Sequence, residues 1–239
     1  MTAEFYNPPA LTTIQMIEVD RLMINEWGIT LMQMMENAGR SFAELARRRL
    51  GGTVEGSRIA VLCGNGNNGG GGMTAARHLH NWGARVDVIL VGNETRLKEI
   101  PARQWQVSCK LGITRSTVDL SNTDLIMDAM LGYGVKGNPR PPLADWIHLA
   151  NESKLTILSL DTPSGLDTTT GAPGAACIHA SATLTLALPK TGLLTLTAKP
   201  FVGDLYLADI GVPPELYAAP SLGLQVISPF REETIVKLF

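Results

Sequence analysis

Three segments of the sequence combine glycines with polar side chains, and each one follows an apolar run. In the first, GNGNNGGGG, six of nine residues are glycine, and Gly64, Gly66 and Gly69 match the G-x-G-x-x-G pattern of dinucleotide-binding turns. Glycines permit positive φ and let a phosphate approach the backbone amides closely, while a helix behind the turn adds partial positive charge. We therefore predict that this segment binds a dinucleotide-type ligand; a flexible turn without a ligand is the alternative.

The second segment, GYGVKGNPR, follows the apolar run DLIMDAML and offers Lys136 and Arg140 to an anion. The run itself contains a carboxylate, Asp128, among apolar neighbours. Because an unpaired carboxylate in a protein interior is strongly unfavourable, Asp128 must meet hydrogen-bond donors, a cation or the ligand. A functional role stays open beside a structural one in which loop amides hold the carboxylate.

The third segment, DTPSGLD, follows the run LTILSL, which places Asp161 at the carboxyl end of a strand. The hydroxyl of Ser164 adds a further oxygen; carboxylate, hydroxyl and side-chain amide oxygens are all hard donors that suit an alkali or alkaline-earth ion rather than zinc. Lys190 ends the next apolar run, and it either overhangs the same crevice or is an ordinary solvated lysine.

The elements that must position these segments alternate along the chain. Helices are predicted from a cap at Thr12 or Thr13 to Gly28 and over residues 30–50, 73–82, 101–111 and 143–151. Strands are predicted over residues 57–63, 85–91, 124–131, 155–160, 182–188, 204–209 and 224–227. This alternation predicts a Rossmann-like three-layer αβα sandwich with a mostly parallel central sheet and two extra N-terminal helices, in one domain over residues 1–239. Ligands of such sheets bind at the carboxyl ends of the strands, where the three segments lie.

Composition narrows the possible partners and the compartment. The net charge is −2, from 20 basic and 22 acidic residues, so we expect neither a nucleic-acid nor a membrane partner. The three cysteines have neither metal-site spacing nor a disulfide framework, which is typical of a reducing compartment. No signal-peptide pattern and no run long enough to span a bilayer is present in the sequence, so we expect a cytoplasmic location.

Six segments occur together in the order expected of one family: MENAG, GNGNNGGGG, DAMLGYGVKG, DTPSGLD, ALPKTGL and DIGVP. On these motifs the chain resembles the NAD(P)HX epimerase family, the YjeF N-terminal domain family that includes apolipoprotein A-I-binding protein. The resemblance runs from about Leu11 to Pro213, which is nearly the whole chain. It implies an isomerase of metabolite repair that interconverts the R and S epimers of hydrated NADH and NADPH (NADHX and NADPHX), and it implies a homodimer.

The resemblance also implies roles for particular residues. The substrate-binding residues would be Asn67, Asn68, Gly69, Gly70, Gly71, Gly132, Tyr133, Gly134, Val135, Lys136, Gly137, Asn138 and Asp161. A potassium ion, the implied cofactor, would be bound by Asn68, Asp128 and Ser164. For catalysis, Asp161 is the first candidate to move a proton to and from the substrate's hydroxyl group, with Lys190 as its electrostatic partner.

Two positions depart from the family pattern and keep other functions open. The family's first loop usually reads NNGGDG, but Gly71 stands at its Asp position, and Ser181 replaces an Asp before the ALPK segment. One alternative is therefore a catalytically impaired homologue that binds a nucleotide or a protein partner. Another is an NAD-dependent oxidoreductase, for which Glu94 is a loose candidate to hold the ribose. No kinase-like domain is appended, so we do not expect the companion dehydratase activity in this chain.

Overall fold

A mostly parallel sheet of eight strands forms the centre of the protein, whose computed structural model describes residues 8–134 and 137–239. The strands are β1 Arg58–Cys63, β2 Arg85–Leu90, β3 Thr114–Arg115, β4 Leu125–Ala129, β5 Ile157–Leu160, β6 Ala182–Leu186, β7 Asp204–Ala208 and β8 Ile235–Lys237. Their order is β3-β2-β1-β4-β5-β6-β7-β8. All neighbours pair in parallel except β7 and β8. The predicted Rossmann-like class is confirmed, and the strand order reverses between β1 and β4.

Seven helices connect or flank these strands in the described part of the chain: α1 Thr13–Asn25, α2 Leu31–Arg49, α3 Asn67–Asn81, α4 Glu99–Lys110, α5 Leu143–Glu152, α6 Lys199–Val202 and α7 Pro214–Tyr217. The two predicted N-terminal helices are confirmed, and each begins with a capping box. Thr12 and Gln15 exchange hydrogen bonds at the start of α1, and Thr30 and Gln33 do the same at the start of α2. Each box satisfies two backbone N–H groups that the helix itself leaves free.

Both faces of the sheet are covered, which explains why its central strands are continuous apolar runs. On one face, Val61 of β1 packs with Phe42 of α2 and Leu79 of α3. On the other face, Leu62 of β1 packs with Ile147 of α5. Alternate residues of one strand therefore contribute to two separate cores, as the two-residue period of a strand requires.

The structure differs from the sequence prediction at one helix start, one predicted strand and two strands that were not predicted. Helix α3 begins at Asn67 rather than Met73, because close tertiary packing outweighs the low helix propensity of the glycines. Residues 224–227 form no strand: Leu224 and Val226 pack against the α1 core instead of joining the sheet. Two strands were not predicted from the sequence: β8, which forms the antiparallel edge of the sheet, and the two-residue strand β3. Among the helices of the described residues, none is both long and apolar enough to cross a membrane.

Candidate active site

A cleft of about 450 Å³ opens where the carboxyl ends of β1, β4 and β5 meet. It brings together the three glycine-containing segments that the sequence singles out. Seven of the predicted site residues line this cleft: Asn67, Asn68, Gly71, Gly132, Tyr133, Gly134 and Asp161. The remainder of the wall is largely apolar and comes mainly from α1, α2 and the ends of β4 and β6, with single residues from other loops and helices such as Val91, Leu143 and Ile210. The volume and the mixture of apolar wall with a few polar groups are typical of small-molecule sites.

In the first segment, packing requires glycine at positions 64 and 69. None of the six glycines has positive φ, so the expectation that they serve left-handed turns was wrong. A Cβ at Gly64 would lie 1.9 Å from Met130 O, and one at Gly69 would lie 1.9 Å from Gly64 O. Such contacts are impossible, so α3 can approach β1 and β4 this closely only without side chains at these positions.

Gly71 differs from these glycines because the space beside it is limited only by a side chain. A Cβ there would meet Leu160 Cδ2 at 2.8 Å, and Leu160 can rotate away. Gly71 and Leu160 both line the cleft, so the family's aspartate at this position would lie beside the ligand. Ser181, the second departure from the family pattern, lies at the amino end of β6. The cleft lies at the carboxyl ends of the strands, so Ser181 is at the opposite edge of the sheet.

The amino end of α3 faces the cleft and is suited to an anion. Its cap residue is Gly66, and no side chain caps the helix. The first intrahelical bond is donated by Gly70 N, so the amides of Asn67, Asn68 and Gly69 have no acceptor within α3. Partial positive charge at this helix end attracts phosphate. Lys98, an exposed cation that the sequence did not single out, also lines the cleft.

Asp161 lies directly after β5 and is held by two interactions. Its Oδ2 accepts a hydrogen bond of 2.9 Å from Tyr133 N, and its Oδ1 pairs with Lys190 Nζ. The residue has φ of 65°, an uncommon value for a side chain other than glycine, and it is only 4% exposed. Strained backbone of this kind costs about 1–3 kcal/mol and concentrates at functional sites. The carboxylate is therefore fixed in place at the cleft wall.

Lys190 lies behind Asp161 and is fully buried, so it is not a solvated surface lysine. Besides the ion pair, its Nζ donates hydrogen bonds to Leu186 O at 3.0 Å and Thr185 Oγ1 at 3.3 Å. These three acceptors use all three N–H groups of an ammonium. Lys190 is absent from the residues that line the cleft within the described chain, so it acts through Asp161.

Asp128 is fully buried below the cleft rather than exposed in it. Its Oδ1 accepts hydrogen bonds from Ser164 Oγ at 2.6 Å and Met130 N at 3.2 Å. Its Oδ2 accepts from Ser159 Oγ at 2.8 Å and Ser164 N at 2.9 Å. Burial raises the pKa of Asp128, and these neutral donors oppose that shift. The structural alternative is thus realised: hydroxyls and amides hold the carboxylate.

The three oxygen-bearing residues assigned to potassium lie near the backbone of Leu131, the residue that follows Met130 after β4. Leu131 N donates to Ser164 Oγ at 2.9 Å, and Leu131 O accepts from Asn68 Nδ2 at 2.8 Å. The amide oxygen of Asn68 accepts no hydrogen bond from residues 8–134 or 137–239. No ion pair with a cationic side chain of those residues balances the charge of Asp128. Oxygen donors beside an uncompensated buried carboxylate fit a monovalent cation.

The remaining predicted residues have different positions. Gly137 and Asn138 line an adjoining cavity of about 180 Å³ together with Gly132, whereas Val135 and Lys136 lie outside the described residues. Gly69 and Gly70 belong to α3 but do not line the cleft. Glu94, considered for a ribose contact, is exposed in a short 3₁₀ turn and does not line the cleft.

Sequence reasoning missed residues contributed by the two N-terminal helices. Met34 and Met35 are 4% exposed, and besides filling the core they form part of the cleft wall. Asp20 of α1 also lines the cleft, and its Oδ2 accepts a hydrogen bond of 2.6 Å from Tyr133 Oη. A signal was present: Asp20 follows Met16 by four positions and precedes Met23 by three, so an acid lies on the inward-facing stripe of an amphipathic helix.

The fold and the cleft define a Rossmann-like ligand-binding protein whose site, at the reversal of strand order, contains an ion-paired aspartate. The chain belongs to the family described as YjeF-related protein N-terminus, whose model matches residues 31–192.

Curated relatives cover most of the chain. An NAD(P)H-hydrate epimerase of Dehalogenimonas lykanthroporepellens is 40% identical over 99% of this chain and 96% of its own length. One of Rhodopirellula baltica is 35% identical over 87% of this chain and 86% of its own length. A bifunctional NAD(P)H-hydrate repair enzyme Nnr of Moorella thermoacetica is 34% identical over 91% of this chain but only 43% of its own length.

A solved structure supports the fold alone. The yeast protein YNL200c superimposes with a TM-score of 0.79 at 24% sequence identity, and the match covers 96% of this chain and 100% of the yeast chain. The agreement extends over nearly the whole α/β architecture.

Proposed function

We propose that this protein is an NAD(P)HX epimerase, an isomerase that interconverts the R and S epimers of hydrated NADH and NADPH. The names of its relatives support this reaction, since proteins that match almost all of the chain are NAD(P)H-hydrate epimerases. The structural observation that carries the proposal is Asp161, a carboxylate at the cleft wall with a buried ammonium behind it. Such a carboxylate can exchange protons with a hydroxyl group in the cleft.

The reaction makes modest demands on a protein. The substrate bears a hydroxyl group on ring carbon C6, next to the ring nitrogen N1. Its configuration inverts when the hydroxyl leaves as water, pushed by the N1 lone pair, and a water molecule adds to the opposite face. Both steps need proton transfer at oxygen, and the cationic ring formed between them needs a nearby negative charge.

Asp161 is suited to both requirements. Because Lys190 and Tyr133 N fix its carboxylate, the group stays oriented towards the cleft while a substrate binds and leaves. Lys190 does not line the cleft in the described residues, and it serves as the positioning residue that holds Asp161 in place. The neighbouring apolar wall, which includes Met34, limits the water that reaches the ring.

The opposite part of the cleft is suited to the nucleotide. The free amides at the start of α3 and the ammonium of Lys98 can bind the negatively charged phosphates. We propose the same substrate role for Gly132–Asn138, by the family resemblance, with Gly132, Tyr133 and Gly134 in the cleft wall. NADHX and NADPHX are both retained as substrates.

We further propose that potassium is the resident cofactor, bound by Asn68, Asp128 and Ser164. The donor set supports this, because all three residues offer oxygen atoms and the carboxylate has no cationic side chain beside it in the described residues. When bound, the ion would order the loops after β4 and β5 and compensate a buried charge. Potassium should therefore raise the melting temperature, and the gain should be lost in Asp128→Asn.

Oligomeric state and compartment complete the proposal. Ile14, Ile17 and Ile24 on the outer face of α1 are 79%, 55% and 44% exposed, and apolar surface of this kind favours a homodimer. Sedimentation should give a dimer that Ile17→Asp dissociates; a monomeric unaltered protein would contradict the assignment. The three cysteines are free thiols, which fits the reducing cytoplasm.

The deciding experiment mixes purified protein with the R epimer of NADHX and follows its conversion to S by chromatography, with potassium present and absent. We expect conversion well above the spontaneous rate and a loss of about 100-fold or more in Asp161→Asn. Asp145→Asn is the matched control, because Asp145 is an exposed acid of α5 that does not line the cleft. Full activity of Asp161→Asn with an intact fold would remove the role of Asp161.

The same experiment distinguishes the alternative function. Gly71, at the family's aspartate position, favours a homologue that binds the nucleotide but has lost catalysis. Bound NADHX without any acceleration would favour that alternative over the epimerase. In that case Gly71→Asp should restore conversion, because a Cβ at this position meets only the side chain of Leu160.

A further inference from the structure

A second carboxyl group lines the cleft and is not used by the roles of Asp161 and Lys190. Asp20 of α1 is half-buried, and its Oδ2 accepts a hydrogen bond of 2.6 Å from Tyr133 Oη. Within residues 8–134 and 137–239, Oδ1 of Asp20 accepts no hydrogen bond and no ion pair forms at this residue. One oxygen of Asp20 is therefore anchored and the other is available to a ligand.

One tyrosine holds both carboxyl groups of the site. The backbone N–H of Tyr133 donates to Asp161 at 2.9 Å, and the hydroxyl at the far end of its side chain donates to Asp20. The two acids thus contact opposite ends of one tyrosine residue. They differ in charge compensation, because Asp161 pairs with Lys190 whereas Asp20 has only a neutral hydroxyl partner.

The surroundings of Asp20 affect its protonation. Burial raises the pKa of Asp20; the Tyr133 hydrogen bond and the charge of Lys190 oppose the shift, and the charge of Asp161 adds to it. Burial also raises the pKa of Tyr133, so its hydroxyl stays a donor. A protonated Asp20 can accept from Tyr133 at Oδ2 and still present an O–H group to the cleft at Oδ1.

We propose that Asp20 is the second proton-transfer residue of the epimerase, acting as the acid when Asp161 acts as the base. The inference rests on the proposed function, and it follows from the geometry of the reaction. The hydroxyl leaves from one face of the ring and water adds to the other, so a single fixed carboxylate cannot reach both oxygens at once. Two carboxyl groups held at opposite ends of one tyrosine, one acting as the acid and the other as the base, meet this need.

In one direction the proton of Asp20 passes to the C6 hydroxyl oxygen, and the C6–O bond breaks with its electron pair remaining on the departing water. The N1 lone pair simultaneously forms an N1=C6 double bond. A second water then donates an oxygen lone pair to C6, the double-bond pair returns to N1, and the surplus proton goes to Asp161. The two acids have then exchanged roles, and this form of the protein catalyses the reverse epimerisation.

The first test is Asp20→Asn assayed with the R epimer of NADHX, with Glu18→Gln as the matched control. Glu18 lies on the same helix but pairs with Arg21 and does not line the cleft. We expect kcat of Asp20→Asn to fall about 100-fold or more while KM changes little, since a proton donor acts mainly in the transition state. Glu18→Gln should keep the unaltered rate.

The second test does not depend on the folding of Asp20→Asn. The rate should fall as pH rises through the pKa of Asp20, which is faced by Tyr133, Asp161 and Lys190. Tyr133→Phe removes a hydrogen bond that stabilises the ionised form, so this alkaline limb should move to higher pH. A merely structural Asp20 would leave the limb in place.

The outcomes separate this inference from the function on which it rests. No conversion by the unaltered protein would remove the epimerase proposal and this inference together. Conversion by the unaltered protein with an equally fast Asp20→Asn would overturn only the role of Asp20. An alkaline limb that Tyr133→Phe leaves unmoved would overturn it in the same way, whatever the stability of the other variant.

Discussion

If packing rather than flexibility explains the glycines of α3, two alanine substitutions two positions apart should differ sharply in stability. A Cβ at Gly69 would lie 1.9 Å from Gly64 O, which is 1.5 Å short of ordinary contact at 3.4 Å, and only backbone movement could relieve it. At Gly71 the contact of 2.8 Å is with Leu160 Cδ2 and falls short by 0.6 Å, which a side-chain rotation can provide. The two sites thus share a helix but not a steric environment.

The magnitudes follow from opposing effects. Each alanine gains up to about 1 kcal/mol of helix propensity over glycine. Overpacking costs about 1–3 kcal/mol and more where backbone must move, whereas a displaced rotamer costs about 0.5–1.5 kcal/mol. We therefore expect Gly69→Ala to lose about 2 kcal/mol or more and Gly71→Ala to stay within about 0.5 kcal/mol of the unaltered protein.

Thermal unfolding by calorimetry measures the contrast. A change of 1 kcal/mol shifts the melting temperature of a chain of this size by about 2–4 °C. Gly69→Ala should therefore melt about 4–8 °C or more below the unaltered protein, and Gly71→Ala should melt at nearly the same temperature as the unaltered protein. Urea unfolding gives an independent value for each variant. Equal melting temperatures for Gly69→Ala and Gly71→Ala would refute the packing argument and return the glycines to a role in ligand binding or loop flexibility.

Three further outcomes are expected. Lys190→Met should lower the free energy of unfolding in urea by about 3 kcal/mol, because it leaves Asp161 without its buried partner; a loss below about 1 kcal/mol would contradict the importance of the pair. Native protein should react with one equivalent of Ellman's reagent, at Cys109, since the other two thiols are buried; a faster second equivalent would show an opened core. Burial alone would raise the pKa of Glu36, but hydrogen bonds, the largest effect coming from Arg77, lower it. The contribution of ionised Glu36 to the free energy of unfolding is therefore present above pH 4.5 and is lost as pH falls through the lowered pKa. Glu36→Gln should accordingly cost about 1 kcal/mol or less near neutral pH and nothing in acid, as urea titrations at several pH values can check.

Much of the fold could be read from the chain because its signals are local. The run IAVLC of β1 is apolar at every position, which predicts a strand buried on both faces, and Thr12 and Thr30 mark helix starts through side chains only three residues from their partners. The start of α3 could not be read in this way. Its helix forms from residues of low helix propensity, and only contacts outside the helix, such as that of Gly69 with Gly64 O, explain why no larger residue fits.

In the site, too, the identity of the residues could be predicted from the sequence but their environments could not. Asp161 and Asp128 were identified from the sequence because a carboxylate next to or within an apolar run is conspicuous, and the shared edge of a parallel sheet predicts that their loops meet. Their different environments were not predictable: Asp161 lines the cleft, whereas Asp128 lies buried below it among serine hydroxyls. Burial depends on what packs above each strand end, and this is a property of the assembled layers.

The sequence by itself determined the sheet class, the helix caps and the three segments at the ligand-binding edge, because hydrophobic period and residue type act over a few positions. Only the tertiary structure decided that Lys190 is the buried partner of Asp161. It also decided that Asp20, more than 100 residues before Tyr133, accepts a hydrogen bond from the Tyr133 hydroxyl. These assignments depend on distances between atoms that chain order does not bring together. The packing of α1 and α2 against the sheet fixes those distances.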